Sequence, residues 1–592
     1  MLPKRNEVPV KYTWDLTRIF KDDATFEADY KVTEDLISKL PSQITDSAKE
    51  LYDGLTQILE ATRKVEKLYV YASMSSDVDT SNSHYLGLFA RCQKLFNNLS
   101  EKISFLEPAL LSIADQWEQY LTDYPQLRDY QLFVERILDK KAHTLDAQSE
   151  KLIAQAGDAL DSAENTYGVL TDSDMEYGYV QDENGEMVKL SDGLYSILIQ
   201  SKDRNVRKNA FDVMYEAYGQ FGNTLASTLS GVVKKHNFNS KAHHYKSARQ
   251  AALAANNVPE EVYDTLITEV NKHLDLLHEY VALRKKILKL DDLQMWDMYV
   301  PITSQAQTKV DFETAKKIAQ DAFAYLGEDY QKHVDHIFND RVIDLVESEN
   351  KRTGAYSGGS YDTDPYILLN WEGTLDSVYT LVHETGHSMH SYYTRSNQPY
   401  VYGEYPIFLA EIASTTNENI LTEYLLDHET DPQSRAYLLN YYLDSVKGTL
   451  FRQTQFAEFE EKIHEADQNG IPLTREYLDK LYGDINQKYY GDSVEPGGAI
   501  AKEWSRIPHF YYNFYVYQYA TGFAAANSLA NKVVHGSQAD KEAYLGFLKA
   551  GSSDYPTNTM KKAGVDMTKA DYLEDTFNTF AKRLKELKEI IE

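Results

Sequence analysis

At 592 residues the chain is long enough to bury more than one core, and 42% hydrophobic with 26% charged residues is the composition of an ordinary globular protein, which excludes disorder. Its 61 Lys and Arg against 91 Asp and Glu leave a net charge of −30, which argues against nucleic acid or an anionic membrane as a partner. Cys92 is the only cysteine, so neither an intrachain disulfide nor a zinc site built on paired thiolates can form.

The chain begins Met1-Leu-Pro-Lys-Arg-Asn-Glu-Val-Pro-Val, without an apolar core of signal-peptide length, and nowhere do 18 apolar residues run together. A cytoplasmic protein with no membrane partner is expected, and nothing marks an obligatory protein partner. After Trp14-Asp15-Leu16, apolar residues at spacings of three and four predict helices over Asp22 to Leu40, Ser47 to Ser75, Ser81 to Gln116 and Asp146 to Leu170, with breaks or kinks at Pro41, Pro108 and Pro125. Met175 to Val180 and Glu186 to Leu190 flank Asn184-Gly185 and read as a β-hairpin closing an N-terminal helical region, residues 1–200. Ser191-Asp192 then opens a helix, and helical patterns continue from about Ser201 through Lys289. Lys234-Lys235-His236 and His243-His244 read as solvated helix ends.

Glycines then punctuate two β-like runs, Val342 to Tyr356 and Tyr366 to Asn370. An exposed strand edge there can hold an extended peptide by backbone hydrogen bonds, with Ala355, Tyr356, Ser357 and Gly358 as the binding candidates. Turn formation alone is the competing reading of these glycines.

His383-Glu384-x-x-His387 follows. On a helix, residues four apart stand one above the other, so two imidazoles can share a zinc ion while Glu384 lies beside it as a proton acceptor. Chance matches to this pattern should number only about 0.04 per chain of this composition. Gly373-Thr374 supplies an N-cap, and Val378, Val382 and Met389 form an apolar stripe beside the histidines. Gly386 costs a helix about 1 kcal/mol relative to Ala, which fits a position that a substrate or a crossing helix approaches closely.

Two histidines leave a catalytic zinc one protein ligand short. A metzincin would carry Gly and His where this chain has His390 and Tyr393, so that class is excluded. The segment from Pro406 to about Asp427, with Pro406 at N1, reads as an amphipathic helix whose Glu411 and Glu418 share a face. One can bind metal and the other can accept the second ring N–H of a ligand histidine; alone, the pair also fits a solvated acidic face.

With Glu411 standing 24 positions after His387, inside Ala-Glu-Ile-Ala-Ser-Thr-Thr-Asn-Glu, these residues resemble the M3 peptidases, and most nearly the oligoendopeptidase F group. Trp14-Asp15-Leu16 and the entry to a catalytic region at residue 201 resemble them too. The resemblance implies a mainly α, two-lobed body with a deep central cleft and a small β-sheet beside the zinc helix, with residues 201–592 as the catalytic region. It also implies one zinc ion held by His383, His387 and Glu411, with Glu418 behind them. Oligopeptide substrates cleaved at internal bonds follow from it as well.

The last informative stretch runs from Glu495 to Gly522. Tyr512, Tyr515 and Tyr519 fall at i, i+3 and i+7, one face of a helix, and such a stripe is commonly core. Phenolic donors can also steady an oxyanion, and the resemblance implies His509, Tyr512 and Tyr519 in that role. An exopeptidase, a peptide-binding protein and a structural zinc protein are the rival readings. The intact Glu384 disfavours the second, and a three-ligand set disfavours the third.

Overall fold

The computed structural model describes residues 2–303, 309–495 and 497–591. Helices dominate it, with a two-stranded and a three-stranded sheet among the described residues, so the mainly α expectation holds. The chain divides into two compact units that interleave in sequence: Met1–Ala142, Gln307–Tyr424 and Leu529–Gly564 form the first, and His143–Ala306, Leu425–Ser528 and Val565–Glu592 the second.

In the first unit, Asp22 and Ser47 cap Asp23–Ser38 and Ala48–Asp77 as their spacing predicts. Ala48–Asp77 buries Leu51, Leu55, Ile58, Val65 and Leu68 along one stripe, each fully buried aliphatic contributing about 1.5–3 kcal/mol. Cys92, on Ser83–Ile103, is sealed against the Leu68 carbonyl, and burial pushes its thiol up to about 12, so it is inert packing. The long helical run expected over Ser81 to Gln116 is broken: Ser83–Ile103 ends at Ser104, Pro108 sits in the first turn of Leu106–Ser112, and a 3₁₀ turn follows at Ala114–Gln116. Pro108 is tolerated there because first-turn N–H groups lack intrahelical acceptors, so the break falls before it.

The three-stranded sheet also lies in this unit, with β3 (Ile343–Asp344), β4 (Tyr356–Gly358) and β5 (Tyr366–Leu368) in the order β3-β5-β4. β3 runs parallel and β4 antiparallel to β5. The single run expected over Val342 to Tyr356 is therefore two strands on opposite sides of β5. Lys351 forces the separation: buried between them, its ammonium bonds Asp344 at 2.8 Å and the carbonyls of Val346 and Leu369. The N-terminal motif locks the sheet, since the buried Trp14 ring stands 6.0 Å from Tyr366, whose hydroxyl donates to the Asp15 carbonyl.

Two long helices follow. The motif helix, Leu375–Asn397, opens on a capping box of Thr374 and Ser377. The carboxylate helix, Ile407–His428, begins one residue after Pro406. Its amphipathic expectation fails: Phe408, Leu409, Ile412, Asn417, Ile420 and Leu426 are all buried, so it is packed over most of its girth. The two helices cross at Gly386, where an added Cβ would stand 2.5 Å from the Ser414 Cα.

In the second unit, β1 (Tyr179–Gln181) and β2 (Met187–Lys189) pair antiparallel around the Asn184-Gly185 turn. The turn is wider than a two-residue Asn-Gly reversal, closed by the Gly185 amide on the Asp182 carbonyl with Gly185 at φ +81°. Ser191 caps Asp192–Leu198. The helix expected over Asp146 to Leu170 is three short ones, Ala147–Gln155, Gly157–Leu160 and Ser162–Val169. His243 bonds the Asn239 carbonyl at a helix end, as read, whereas His236 is buried against His464 and departs from the solvated expectation.

Gly386→Ala should lower stability by about 1–3 kcal/mol through overpacking against Ser414, although intrinsic helix propensity favours Ala by about 1 kcal/mol. Urea unfolding decides it, and a midpoint at or above that of the unsubstituted protein would show that the crossing is not tight.

Candidate metal centre

The motif helix presents His383 and His387 on one face, with ring nitrogens Nε2 3.2 Å apart. Glu411, on the carboxylate helix, brings Oε2 to 3.4 Å from His383 Nε2 and 3.5 Å from His387 Nε2. The three atoms form a nearly equilateral triangle. Donors at about 2.0–2.1 Å on a tetrahedral zinc lie about 3.3–3.4 Å apart, so these residues fit one face of such a site and leave a fourth position open. Glu418 takes the other nitrogen, His383 Nδ1, at 2.5 Å, which orients the ring and leaves Nε2 facing the triangle, where a metal ion would displace its proton.

The electrostatics favour positive charge at this point. Burial works against a charge on His383, yet hydrogen bonds to Glu411 and Glu418 outweigh it and push the imidazole up to about 10. Hydrogen bonds from His383 and His387 hold the Glu411 carboxyl well below the usual carboxylate range. Glu384 is 7% exposed, and burial raises its carboxyl, while the two histidines and the Ser357 amide pull it back toward ionisation.

Ser357 ties strand to helix. Its hydroxyl meets that of Ser388 at 2.8 Å, and Ser388 donates to the Pro365 carbonyl, so β4 is pinned one turn beyond Glu384. β4 pairs only with β5 among the described residues, which leaves its other edge without a strand; Ala355 precedes it, and the Tyr356 hydroxyl is held by Asp77 at 2.7 Å.

His509, Tyr512 and Tyr519 lie in the second unit. The helical face expected for Tyr512, Tyr515 and Tyr519 does not form: Pro508–Tyr511 is a 3₁₀ turn, Asn513 and Phe514 take positive φ, and a helix begins only at Tyr517. The kink nevertheless gathers the side chains, with His509 Nε2 3.4 Å from the Tyr519 hydroxyl and the His509 ring 5.6 Å from that of Tyr512. Burial lowers the His509 imidazole, and Tyr512 is half exposed.

A model of peptidase family M3 matches residues 197–579, and one of oligopeptidase F matches residues 112–177. The chain belongs to peptidase family M3. Group B oligopeptidase PepB of Streptococcus agalactiae is 50% identical over 595 residues, covering 100% of this chain and 99% of the relative, and Oligopeptidase PepF of Bacillus subtilis is 45% identical over 594 residues, covering 100% and 89%. The crystal structure of oligoendopeptidase-F from Enterococcus faecium superposes with a TM-score of 0.74 at 44% identity, covering 96% of this chain and 99% of that one. A Chlamydophila abortus crystal structure reaches 0.94 at 35% identity over the whole of both chains. Among the described residues of this M3 peptidase, no helix is long and apolar enough to cross a membrane.

Sequence reasoning passed over two features. The Asn417 amide bonds the Val382 carbonyl and the Tyr330 hydroxyl, bracing the motif helix; its position within the Glu411–Glu418 segment was the available signal. A second trio, Glu269, His273 and Glu574, also has the spacing of a metal cluster. Lys272 bonds Glu269 at 2.6 Å, and His273 pairs with Glu574 at 3.0 Å and stacks on Phe577, which accounts for the group as a partly buried ion-paired cluster.

Glu418→Ala, by freeing the His383 ring, should weaken zinc affinity about 10–100-fold while the fold is retained. Competition with a chelator measures this, and unchanged affinity would remove Glu418 from the site.

Proposed function

We propose that this M3 peptidase is a zinc-dependent oligoendopeptidase, cytoplasmic, with residues 201–592 as its catalytic region and one zinc per chain. It hydrolyses internal bonds of short unstructured peptides. The observation that carries the reading is the triangle of His383 Nε2, His387 Nε2 and Glu411 Oε2 with the buried Glu384 one residue along the helix. Three protein ligands with a fourth position open are a catalytic rather than a structural arrangement.

When bound, zinc supplies the Lewis acidity that makes water a nucleophile at neutral pH and polarises the scissile carbonyl. The chain's own part begins with Glu384, whose carboxylate takes a proton as water oxygen bonds the carbonyl carbon and returns it to the amide nitrogen as the C–N bond breaks. Burial keeps that carboxylate basic, and the Ser357 amide aligns it. The free edge of β4, from Ala355 through Tyr356 and Ser357 to Gly358, holds the peptide in extended form through backbone groups, so little of its sequence is read. We assign His509, Tyr512 and Tyr519 as donors to the oxyanion that forms at the attacked carbon.

An internally quenched peptide blocked at both ends tests the endopeptidase reading: chelator should abolish cleavage and zinc should restore it. Hydrolysis of free-ended peptides alone would make the protein an exopeptidase. Glu384→Gln should keep its zinc and lose at least about 10³-fold in kcat, whereas near-normal turnover would remove Glu384 from proton transfer. Tyr519→Phe should lower kcat about 10²-fold with KM little changed.

A further inference from the structure

We infer that Glu460 is a positioning residue for the oxyanion donors: its buried carboxyl group accepts the Phe514 backbone N–H and so holds the kinked turn that spaces His509 and Tyr512 from Tyr519. The inference rests on the role proposed above for those three side chains.

Glu460 lies in Arg452–Gln468 of the second unit and is 0% exposed. One carboxyl oxygen, Oε1, accepts the Phe514 N–H at 2.6 Å, and the other, Oε2, has no hydrogen-bond partner. Phe514 and its neighbour Asn513 stand at φ +58° and +51°. Two successive non-glycine residues in the left-handed region are strained, and a bulky one such as Phe is held there only when its surroundings impose it. The amide bond to Glu460 is one such constraint. The Phe514 ring, 4.6 Å from His464 and 5.8 Å from Tyr263, is the other.

A turn needed only for packing would be served better by an apolar residue at 460, because a buried carboxyl with one oxygen unpartnered destabilises the fold. Burial pushes Glu460 up to about 8, the Phe514 amide pulling the other way. A native carboxyl above its ordinary value binds a proton that the unfolded chain has released, so this group's contribution to stability falls as pH rises from the ordinary glutamate value towards 8. The ionised form is the stronger acceptor for the Phe514 amide, so the turn tightens over the same rise in pH.

The groups facing Glu460 do not titrate in that window. His464, on the same helix, donates Nδ1–H to the Glu460 carbonyl and is held down to about 4 by burial. His236, from Gly222–Ala242, gives Nδ1–H to His464 Nε2 at 3.1 Å and is held well below its ordinary value. Tyr263, from Glu260–Lys272, and Tyr517 are both raised by burial. Glu461 points elsewhere, to Arg249.

The test is kcat and KM of the zinc-loaded enzyme on the blocked peptide from about pH 6.5 to 9.5, for the unsubstituted chain, Glu460→Gln and Tyr519→Phe, with melting temperatures alongside. The unsubstituted enzyme should show a rise in kcat centred near pH 8 that Glu460→Gln lacks. Glu460→Gln should lose about tenfold in kcat at the alkaline end, hold KM within about twofold, and melt at an equal or higher temperature there. Activity falling while stability holds or rises is what a merely structural role does not produce. An unchanged pH profile, or a loss of kcat that follows a lowered melting temperature, overturns the inference. If Tyr519→Phe is impaired and Glu460→Gln is not, the positioning role alone falls; if Tyr519→Phe is silent, the oxyanion role falls and takes this one with it.

Discussion

The absence of a side chain at Gly386 is the constraint on which the candidate metal centre depends. Glu411 and Glu418 stand two turns apart on one helix, and both must reach His383 on another, one at each ring nitrogen. A glutamate side chain is short, so the backbones must approach until Cα stands almost against Cα. Any Cβ at 386 would meet the Ser414 backbone, midway between the two carboxylates. The helix gives up propensity at that position and gains the only separation at which one imidazole can be gripped from both sides.

The same logic explains why the small sheet is anchored so heavily. A strand of three residues has almost no stability of its own. β4 is held by β5 on one side, by the Ser357–Ser388 hydroxyl pair and by the Tyr356–Asp77 bond. β5 in turn is backed by Tyr366 against Trp14, and β3 by Asp344, which Arg5 and Lys351 neutralise within the core. Burying that carboxylate is costly unless every lone pair is used, and three cationic hydrogen bonds from two side chains with a fourth from the Trp14 amide use them. The result is an edge that can stay unpaired without fraying.

Much of this was legible in the sequence because it is local. The i, i+4 histidines, the Thr374 cap, the glycine at 386 and the shared face of Glu411 and Glu418 all follow from helical periodicity. What was not legible is set by partners distant in sequence. The carboxylate helix is packed nearly all round because a polar residue such as Asn417 finds a buried partner, Tyr330, 87 residues earlier, that makes it a core residue. The break between β3 and β4 depends on Lys351 reaching the Leu369 carbonyl, 18 residues on, while it also holds Asp344 and the Val346 carbonyl. Between Tyr512 and Tyr519, spacing alone predicts a helix, and Phe514 is among the residues least suited to left-handed backbone. Tertiary partners override that preference: Glu460, 54 residues earlier, accepts the Phe514 N–H, and His464 and Tyr263 pack against its ring.

Local rules are broken in this molecule at a few places, and those places are informative. His390 lies on the motif helix one turn past His387, buried, its ring stacked at 3.6 Å on Tyr405, and burial keeps it neutral. It is a histidine packed as an aromatic core residue, outside the His383–His387–Glu411 triangle. Glu460 is the converse, a carboxylate in a place where only an apolar side chain would be neutral for stability. A structure governed by packing alone would have replaced it, whereas one that must hold Asn513 and Phe514 in strained backbone needs an acceptor that a hydrocarbon cannot provide. The difference between these two buried groups, one explained by its neighbours and one opposed by them, separates residues that serve the core from residues that the core accommodates.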